Sequence, residues 1–541
     1  MLIQPPHLPR NANVAVVGAG IAGLSFSYFL SKLRPDVKLT IFDAQSKTGG
    51  WINSCTVQDR EQRNVLVEKG PRTLRGVSDG TVMMIDTLYA LNQGDIVQYI
   101  ESKSEANRKF LLDANNELVQ VPNGVLTMLK FLLSPVGRGV TSGMLGEAFR
   151  RGPIHPGRDE SAFEMITRRF GTAAVANNIF SAIFHGIYAD DIRKLSAQRT
   201  LRALVEMEKA HGSWTRAMLE RMRANKKAKT EGSGEKNVLS EPLLEYQHAL
   251  ARDKRDLENL KTRLSRIPML GLQNGLESLP NALRDSLRTS PNVRFLMDKH
   301  VSQLAVGNAG QLKLATDGEV FPEAFDHVRV TNTPTVLAQM TSKADLKQLL
   351  SEVQSNTVIL VNFYLRGKDL LKSVHSFGYL VPQSNRNEEN LLGVIFDSVI
   401  EQNYKKLSTN EPATRSVSNG NPEVYTKLTA MLGGHWLNGL GEHNVPSDSV
   451  VKKAVKTVLS NHLHIQKQDL DKGLWQVTVA KECLPQFHVG YDKWLAHIKS
   501  KLAESYGPNL SLGGMAFSKG PGVPDVFQDG FQDALALGSH N

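Results

Sequence analysis

A glycine-rich turn near the start of the chain restricts the possible fold more than any other stretch. The apolar run Val14–Val17 predicts a buried parallel strand. Three glycines follow in G-x-G-x-x-G spacing, at Gly18, Gly20 and Gly23, and an apolar helix begins there. The first glycine makes a tight bend, the second lets the backbone approach a pyrophosphate, and the third lets helix and strand pack closely. Phosphates would lie at the helix N-terminus, where free N–H groups favour negative charge.

An acid at the end of the next strand supports a dinucleotide site. The stretch Val37–Asp43 predicts a second strand, and Asp43 lies 20 residues after Gly23. A ribose 2′-hydroxyl needs an acceptor at this place, and a carboxylate there disfavours a 2′-phosphate. The alternatives are a tight turn without a ligand and an ordinary surface acid. The turn and the acid together favour a dinucleotide.

Length and composition indicate a globular protein with more than one substructure. A chain of 541 residues exceeds the size of one hydrophobic core, and 41% hydrophobic with 22% charged residues is ordinary for a folded protein. Only two cysteines occur, Cys55 and Cys483, which excludes a disulfide framework and a cysteine-rich metal or iron–sulfur site.

The positive charge is concentrated in one segment. Half of the net charge of +10 comes from residues 216–266, which hold 13 Lys and Arg against 8 Asp and Glu. No nucleic-acid motif accompanies them, so we expect no nucleic-acid partner. No stretch reaches the ~20 apolar residues that a bilayer span needs. The first ten residues do not resemble a cleavable address, so any organelle signal is expected to be internal.

The middle of the chain contains a helical region and a charged segment. Between residues 125 and 150, apolar clusters alternate with glycines and arginines, a pattern that fits an amphipathic membrane surface and, almost equally well, a plain helical core. Residues 222–266 predict a solvated, charged insertion, with coil leading to one helix from Glu241 to Arg266.

Cofactor-type turns occur near both ends of the chain, which predicts a discontinuous domain. The predicted fold class is α/β and α+β, with a Rossmann-like dinucleotide domain, a mostly antiparallel substrate-domain sheet and an α-helical membrane-associating subdomain. The predicted boundaries are 1–115, 267–335 and 481–541 for the three parts of the first domain, 336–480 for the second, 116–221 for the helical subdomain and 222–266 for the insertion.

Several segments resemble the FAD-dependent amine oxidases, desaturases and porphyrinogen oxidases, and within that class the oxygen-dependent protoporphyrinogen oxidases. They are Gly18–Gly23, Gly49–Ser54, Gly70–Arg72, His185–Ala189, Ser376–Pro382, Tyr425–Gly434 and Cys483–Gln486. The resemblance runs from about residue 12 to the C-terminus, without the insertion. Its glycine turns specify only a flavoprotein, whereas the segments around Gly186 and Phe377–Pro382 distinguish the family.

The resemblance implies FAD that is held without a covalent bond. The implied contacts are Gly18, Ala19, Gly20, Ile21, Ala22 and Gly23 at the pyrophosphate, Asp43 at the adenosine ribose, Gly50, Trp51, Gly70, Pro71, Arg72 and Thr73 near the flavin, Val301 at the adenine end, and Ala516, Pro521, Gly522 and Val523 closing the site. Two positions depart from the family pattern. Lys47 stands where many relatives have arginine, and Pro524 cannot donate an N–H.

The resemblance also implies a porphyrinogen pocket made by Gly186, Phe377, Leu380 and Met431, although composition alone favours a core role for the last three. An arginine expected at a substrate propionate falls at Arg108 or Lys109. A guanidinium binds a carboxylate with two hydrogen bonds, so we favour Arg108. No catalytic acid or base is predicted. His185 is either a packed histidine or a proton carrier.

The implied reaction is oxidation of protoporphyrinogen IX to protoporphyrin IX in three two-electron steps, with O2 as acceptor and H2O2 as product, the penultimate step of haem biosynthesis. The implied partners are a membrane surface, a second copy in a homodimer and ferrochelatase, at the mitochondrial inner membrane. One alternative is an amine or polyamine oxidase of the same fold, which often carries a flavin-linked cysteine near the C-terminus; no cysteine follows Cys483. The other is a prenyl-protein escort or nucleotide-dissociation inhibitor without FAD, which the intact glycines and Asp43 disfavour.

Overall fold

The computed structural model describes residues 8–150, 152, 157–230, 239–413, 423–438 and 445–538, with side chains described at all of these except 225–230 and 309. Its strands are β1 Asn13–Val17, β2 Lys38–Phe42, β3 Ser54–Gln58, β4 Asn64–Glu68, β5 Val97–Ile100, β6 Phe110–Leu112, β7 Leu118–Gln120, β8 Met269–Leu272, β9 Val293–Leu296, β10 Val301–Val306, β11 Leu312–Thr316, β12 Glu319–Phe325, β13 His327–Val330, β14 Ser355–Arg366, β15 Gly378–Leu380, β16 Leu391–Ile395, β17 Lys405–Lys406, β18 Tyr425–Gly433, β19 Leu474–Pro485 and β20 Leu510–Leu512.

The helices surround these strands and supply most of the surface. They are α1 Ile21–Leu33, α2 Asp79–Ala90, α3 Val125–Leu133, α4 Val140–Glu147, α5 Ala162–Phe170, α6 Ala173–Val175, α7 Ser181–Tyr188, α8 Ala197–Thr200, α9 Arg202–His211, α10 Trp214–Thr230, α11 Glu241–Ala249, α12 Lys254–Leu264, α13 Ser278–Arg288, α14 Pro334–Met340, α15 Ala344–Leu350, α16 Asp397–Gln402, α17 Asp448–Leu463, α18 Lys467–Lys472, α19 Tyr491–Tyr506 and α20 Val523–Gly538.

A five-stranded parallel sheet in the order β20-β13-β1-β2-β9 forms the dinucleotide half of the molecule. Its central strand β1 is apolar and buried from Val14 to Val17, as a parallel strand covered on both faces requires. On one face of the sheet, helix α1 packs between helices α13 and α20. The strands come from five separate stretches of the chain, which confirms the predicted discontinuous Rossmann-like fold.

A seven-stranded sheet in the order β19-β14-β18-β16-β15-β6-β7 forms the other half. All its pairs are antiparallel except β15 with β6. The predicted mostly antiparallel sheet is therefore confirmed, but two of its predicted limits differ from the structure. The β6–β7 hairpin, which spans the predicted boundary at 115, belongs to this sheet, and β19 continues past residue 480. Neither pairing is visible in local sequence, because β6 meets a strand about 270 residues away.

Helices α4, α5 and α9, in the predicted helical subdomain, are joined by a buried arginine. Arg169 is fully buried and pairs with Glu147 of α4 and, at 3.2 Å, with Glu208 of α9. The same Glu147 accepts hydrogen bonds from the backbone N–H groups of Trp214 and Thr215, at 2.9 and 2.8 Å. These contacts fix the start of α10 beside α4.

The predicted solvated insertion at 222–266 is wrong for its second half, and its first part falls partly outside the described residues, at 231–238. Helix α10 continues to Thr230, and two helices, α11 and α12, replace the single helix predicted from 241 to 266. Leu243, Tyr246 and Leu257 are buried against the dinucleotide half. Their helical spacing was obscured by the many charged residues between them, so composition suggested a spacer where one face packs.

Candidate active site

The carboxyl ends of β1, β13 and β20 meet at the predicted phosphate turn. Gly18 has a φ of 110°, and its N–H donates to the carbonyl oxygen of Phe42 at 2.8 Å. A Cβ on Gly23 would overlap the carbonyl oxygen of Gly18, so α1 and β1 approach as closely as the motif predicts. The Thr331 hydroxyl, just after β13, donates to the carbonyl oxygen of Val17 at 2.9 Å and closes the other side of the turn.

A second glycine turn lies against the first. The N–H of Gly49 donates to the carbonyl oxygen of Ala19 at 2.9 Å, and a Cβ on Gly50 would lie 3.2 Å from the Cα of Gly20. Gly20 itself has a φ of −73°, an ordinary value, so this position requires space rather than an unusual backbone. Two stretches of bare backbone therefore face each other where a pyrophosphate is expected.

Asp43 connects the phosphate turn to the predicted adenine end. One of its carboxylate oxygens accepts from the N–H of Ala19 at 2.7 Å, and the other from that of Gln45 at 2.8 Å. Each oxygen keeps a second lone pair for a ribose hydroxyl. The N–H of Lys299 donates to the Asp43 carbonyl oxygen at 2.8 Å, which places Val301, at the start of β10, close to this acid.

The C-terminal turn returns to the same place. The N–H of Gly513 donates to the carbonyl oxygen of Val330 at 2.8 Å, and Gly514, with a φ of 91°, lies against Thr331. Ala516 is buried just beyond it, and the segment Pro521–Val523 leads into α20. Pro524 is the second residue of that helix and removes one donor from its first turn.

Arg72 ends a buried chain of polar groups that joins the two halves of the molecule. Its guanidinium donates to Asp397 at 2.7 Å, and both side chains are only 8% exposed. The other carboxylate oxygen of Asp397 accepts from the Thr429 hydroxyl at 2.6 Å. Asn362 donates to that hydroxyl at 2.7 Å from the neighbouring strand. No other hydrogen bond of the Arg72 guanidinium occurs among the described residues, so its remaining donors are available to a ligand.

Two buried oxygens beside the glycine turns fit a polar ligand. The Thr48 hydroxyl and the Asn332 side-chain oxygen have no hydrogen-bond partner among the described residues. Thr48 precedes Gly49, and the Asn332 oxygen lies 3.7 Å from where a Cβ of Gly18 would be. Trp51 follows Gly50 and is 40% exposed, which is unusual for a tryptophan beside buried backbone. An extended dinucleotide would give partners to both oxygens and cover the indole.

Three strands of the seven-stranded sheet bring the predicted pocket residues together. Leu380 of β15 lies opposite Gly393 of β16, which lies opposite Met431 of β18. Gly393 has no side chain, and Leu380 leans over it, because a Cβ there would lie 2.8 Å from a methyl group of Leu380. Helix α7 covers this row, because a Cβ on Gly186 would lie 2.9 Å from a methyl group of Leu380.

Phe377 directly precedes β15. The neighbouring strand β6 decides which of Arg108 and Lys109 points towards the pocket. The N–H of Phe377 donates to the carbonyl oxygen of Arg108 at 2.8 Å. Leu111 pairs with Leu380, and alternate residues of a strand share a face, which places Lys109 on the pocket side. Desolvation, and then the nearby charge of Arg75, lower the pKa of Lys109. Both side chains are exposed, so it is the strand alternation that favours Lys109 over the predicted Arg108.

His185, next to Gly186, is a neutral packed side chain. Its Nδ1 lies 2.7 Å from the carbonyl oxygen of Val381, and its ring stacks at 5.3 Å on that of His435. Burial lowers the pKa of His185 to about 4. Its Nε2 has no hydrogen-bond partner among the described residues.

Sequence reasoning missed Gly393, Asp397 and Thr429. A glycine inside the strand pattern 391–395 does indicate close approach of another group, and this signal was available. Asp397 and Thr429 carry no such signal, because their role depends on Arg72, more than 300 residues earlier. No cluster of three or more potential metal ligands occurs within the described ranges.

Comparison with known proteins places this site in a family. The family described as flavin containing amine oxidoreductase matches residues 21–536. Protoporphyrinogen oxidase of Saccharomyces cerevisiae is 47% identical over 99% of this chain and 100% of its own, and that of Homo sapiens is 26% identical over 97% and 98%. Cyclohexylamine oxidase from Brevibacterium oxydans has a TM-score of 0.60 at 12% identity, covering 98% of this chain and 99% of that one, a likeness that shows the fold alone.

The 47% identity to the yeast enzyme over nearly the full length confirms the predicted family. It supports a porphyrinogen oxidase rather than an amine oxidase or an escort protein. The chain belongs to the flavin-containing amine oxidoreductase family and, within it, to the protoporphyrinogen oxidases.

Proposed function

We propose that this protein is a flavoenzyme that oxidises protoporphyrinogen IX to protoporphyrin IX with O2 as acceptor, as the penultimate step of haem biosynthesis. The observation that carries the proposal is 47% identity to a protoporphyrinogen oxidase over 99% of the chain. We further propose that the cofactor is FAD, bound without a covalent link. Asp43 accepts from the N–H of Ala19 and has lone pairs left for a ribose, which supports a dinucleotide form of the flavin.

The parallel sheet would hold the cofactor, and the seven-stranded sheet the substrate. Gly18–Gly23 and Gly50 would contact the pyrophosphate, and Val301 the adenine end. Trp51, Gly70–Thr73, Ala516 and Pro521–Val523 would surround the rest. Arg72, tied to Asp397 at 2.7 Å, would direct its free N–H groups at the flavin.

The substrate would lie on the row of Leu380, Gly393 and Met431, covered by Gly186 and bordered by Phe377. This surface is apolar, as a tetrapyrrole requires, and Lys109, with Arg108 as the second candidate, would meet a propionate. FAD would supply two-electron oxidation with reoxidation by O2, so three rounds convert one porphyrinogen and release three H2O2. The protein's task is to hold a bridge carbon in place and to exclude water.

We also propose attachment to one face of a membrane. Large apolar side chains of α3 and α4 are exposed, with Leu133 at 88% and Phe149, just after α4, at 84%. An apolar surface of this kind on a soluble monomer marks an interaction site, and a poorly soluble substrate favours lipid as the partner. Among the described residues no helix combines the length and apolar character that crossing a bilayer demands. The same proposal includes a location at the mitochondrial inner membrane, assembly into a homodimer and contact with ferrochelatase.

Anaerobic mixing with protoporphyrinogen IX tests the proposal. We expect the flavin absorbance to bleach and, when air is admitted, porphyrin fluorescence to appear as the absorbance returns. The same mixing with putrescine should leave the flavin oxidised. Bleaching by the amine but not by the porphyrinogen would overturn the proposed function. If the purified protein held no releasable flavin, the proposal of non-covalently bound FAD would be overturned.

A further inference from the structure

Helix α10 extends from the helical subdomain with its outer part unpacked. Its first turn is anchored on Glu147 of α4, and Ala217 is buried. From Met218 to Ala224 every residue is exposed. An amphipathic helix of a globular protein normally buries its apolar side against the core. Three exposed apolar side chains on one side of this helix therefore need a partner.

The exposed part of α10 has an apolar stripe with a cation on each side. Met218, Leu219 and Met222 are 65%, 47% and 59% exposed. At 100° per residue they occupy one side of the helix, about 100° wide. Arg221 and Arg223 lie on the two borders of this stripe. Neither arginine forms an ion pair with another described residue, whereas the one acid in this stretch, Glu220, lies 2.7 Å from His211.

This surface continues the apolar surface of α4. Helices α4 and α10 are in contact, and Met144 and Leu145 of α4 are also exposed. The surface of α3, α4 and the turn between them already holds two exposed cations, Lys130 and Arg138. The two borders of α10 place two further cations directly beside an apolar stripe, which increases the preference for an anionic bilayer over a neutral one.

We propose that residues 218–223 of α10 form a lipid-headgroup site that makes membrane binding selective for anionic phospholipid. The inference rests on the proposed attachment of α3 and α4 to a membrane. The methionines and Leu219 would enter the boundary between headgroups and acyl chains, as in helices that lie in the plane of an interface. Arg221 and Arg223 would bind the phosphates on both sides of the helix.

Co-sedimentation of the full-length flavin-loaded protein with lipid vesicles tests this. One set of vesicles is phosphatidylcholine alone, and the other contains about 30% phosphatidylglycerol, enough to give a negative surface potential. We expect the wild-type protein to bind both, and the anionic set at least about tenfold more tightly at low salt. The double variant Arg221→Gln/Arg223→Gln should lose about 30-fold on anionic vesicles and little on neutral ones.

A matched control removes the same charge elsewhere. Lys493→Gln/Lys499→Gln changes two exposed lysines of α19, and its selectivity should equal that of the wild type. Met218→Ser/Met222→Ser should weaken binding to both sets of vesicles. All variants should keep their flavin spectrum and their activity in detergent, because α10 takes no part in the active site.

The outcomes separate this inference from the one on which it rests. No binding to either set would overturn the membrane attachment and the headgroup site together. Equal binding of the wild-type protein to both sets would overturn only the headgroup site. A preference for anionic vesicles that is as large in Arg221→Gln/Arg223→Gln as in the wild type would also overturn it, as would self-association through α10 without lipid binding.

Discussion

At the scale of single residues, two glycines of one motif have different tasks. A Cβ on Gly20 would meet only the Cα of Gly50, at 3.8 Å, and its φ of −73° suits any residue. We therefore expect Gly20→Ala to leave the melting temperature almost unchanged but to weaken FAD retention by about tenfold or more, because the methyl group occupies the place of a phosphate. Equilibrium dialysis of the apoprotein with FAD measures this.

Gly23→Ala is the companion variant. Its Cβ would overlap the Gly18 carbonyl oxygen, so helix and strand must separate. We expect it to lower the free energy of unfolding by about 1–3 kcal/mol, as overpacking does, as well as to reduce FAD binding. Equal thermal stability of the two variants would show that the third glycine does not serve packing.

The pair Arg72–Asp397 is the second residue-scale prediction. Both side chains are almost fully buried, so Asp397→Ala leaves a guanidinium without its counter-charge. Removing one partner of a buried pair costs about 3–5 kcal/mol, and we expect urea unfolding to show a loss of this size. The control is Glu388→Ala, which breaks a pair that is 88% and 68% exposed and should cost less than about 1 kcal/mol.

Flavin retention in the same Asp397 variant addresses the proposed role of Arg72. If Arg72 points at the flavin, Asp397→Ala should also shift the visible absorption spectrum of the bound flavin. An unchanged spectrum with the expected loss of stability would mean that the pair serves only to join the two sheets.

At this scale, the sequence predicted the contacts between residues that are close together in the chain, and not those between distant residues. Gly18–Gly23 and Asp43 lie within 30 residues of one another, and their arrangement follows from one strand–turn–helix unit. The partner of Arg72 and the choice between Arg108 and Lys109 depend on sheet register. That register is decided by strands far apart in the chain, so no local pattern contains it.

At the scale of secondary-structure elements, the packing of α7 on β15 limits the substrate pocket. A Cβ on Gly186 would lie 2.9 Å from a methyl group of Leu380, whose side chain also covers Gly393. We expect Gly186→Ala to reduce kcat/KM by about tenfold, as one methyl group in a fitted pocket does. Porphyrin fluorescence measures the rate.

A second substitution distinguishes a filled pocket from a damaged fold. Leu380→Val shortens the displaced side chain, so Gly186→Ala/Leu380→Val should recover part of the lost kcat/KM. Gly152→Ala adds a methyl group where no atom of a described residue lies within 4 Å and should have no effect. If the double variant is no better than Gly186→Ala alone, Leu380 does not line the pocket.

Elements were predicted well where apolar periodicity is dense and poorly where charge conceals it. The strands of the parallel sheet are nearly continuous apolar runs, so their places were evident. Only two side chains are buried in each of α11 and α12, three residues apart in α11 and seven apart in α12, and the charged residues around them suggested a solvated spacer. Tyr246 shows what was missed, because its hydroxyl donates to the buried Asp86 at 2.8 Å.

At the scale of the whole molecule, buried histidines make stability depend on pH. Burial lowers the pKa of His185 to about 4 and that of His327 to about 3, below the ordinary value near 6.5. The unfolded chain therefore takes up more protons below pH 6.5, and the stability that each neutral histidine contributes is lost as the pH falls towards its folded value. Between pH 6.5 and 5 each should account for roughly 2 kcal/mol.

Urea unfolding of the wild type and of His185→Gln at pH 7.5 and 5 measures this contribution. The variant should lose less stability on acidification than the wild type does. Asp529 acts in the opposite sense, because burial, and then Asp533, raise its pKa to about 6, so the comparison between the two proteins is more informative than either slope. If the stability of the two proteins depended equally on pH, proton uptake by His185 would not contribute to the pH dependence of folding.

The strand order of the parallel sheet has a consequence for biosynthesis. The phosphate turn follows β1, but its neighbours β13 and β20 are completed only at residues 330 and 512. Helix α20, which packs on α1, comes later still. During translation the nascent chain therefore carries one wall of a cofactor site well before the opposite wall is made. Until then the apolar faces of β1 and α1 lack their native partners, which is the kind of exposure that favours aggregation.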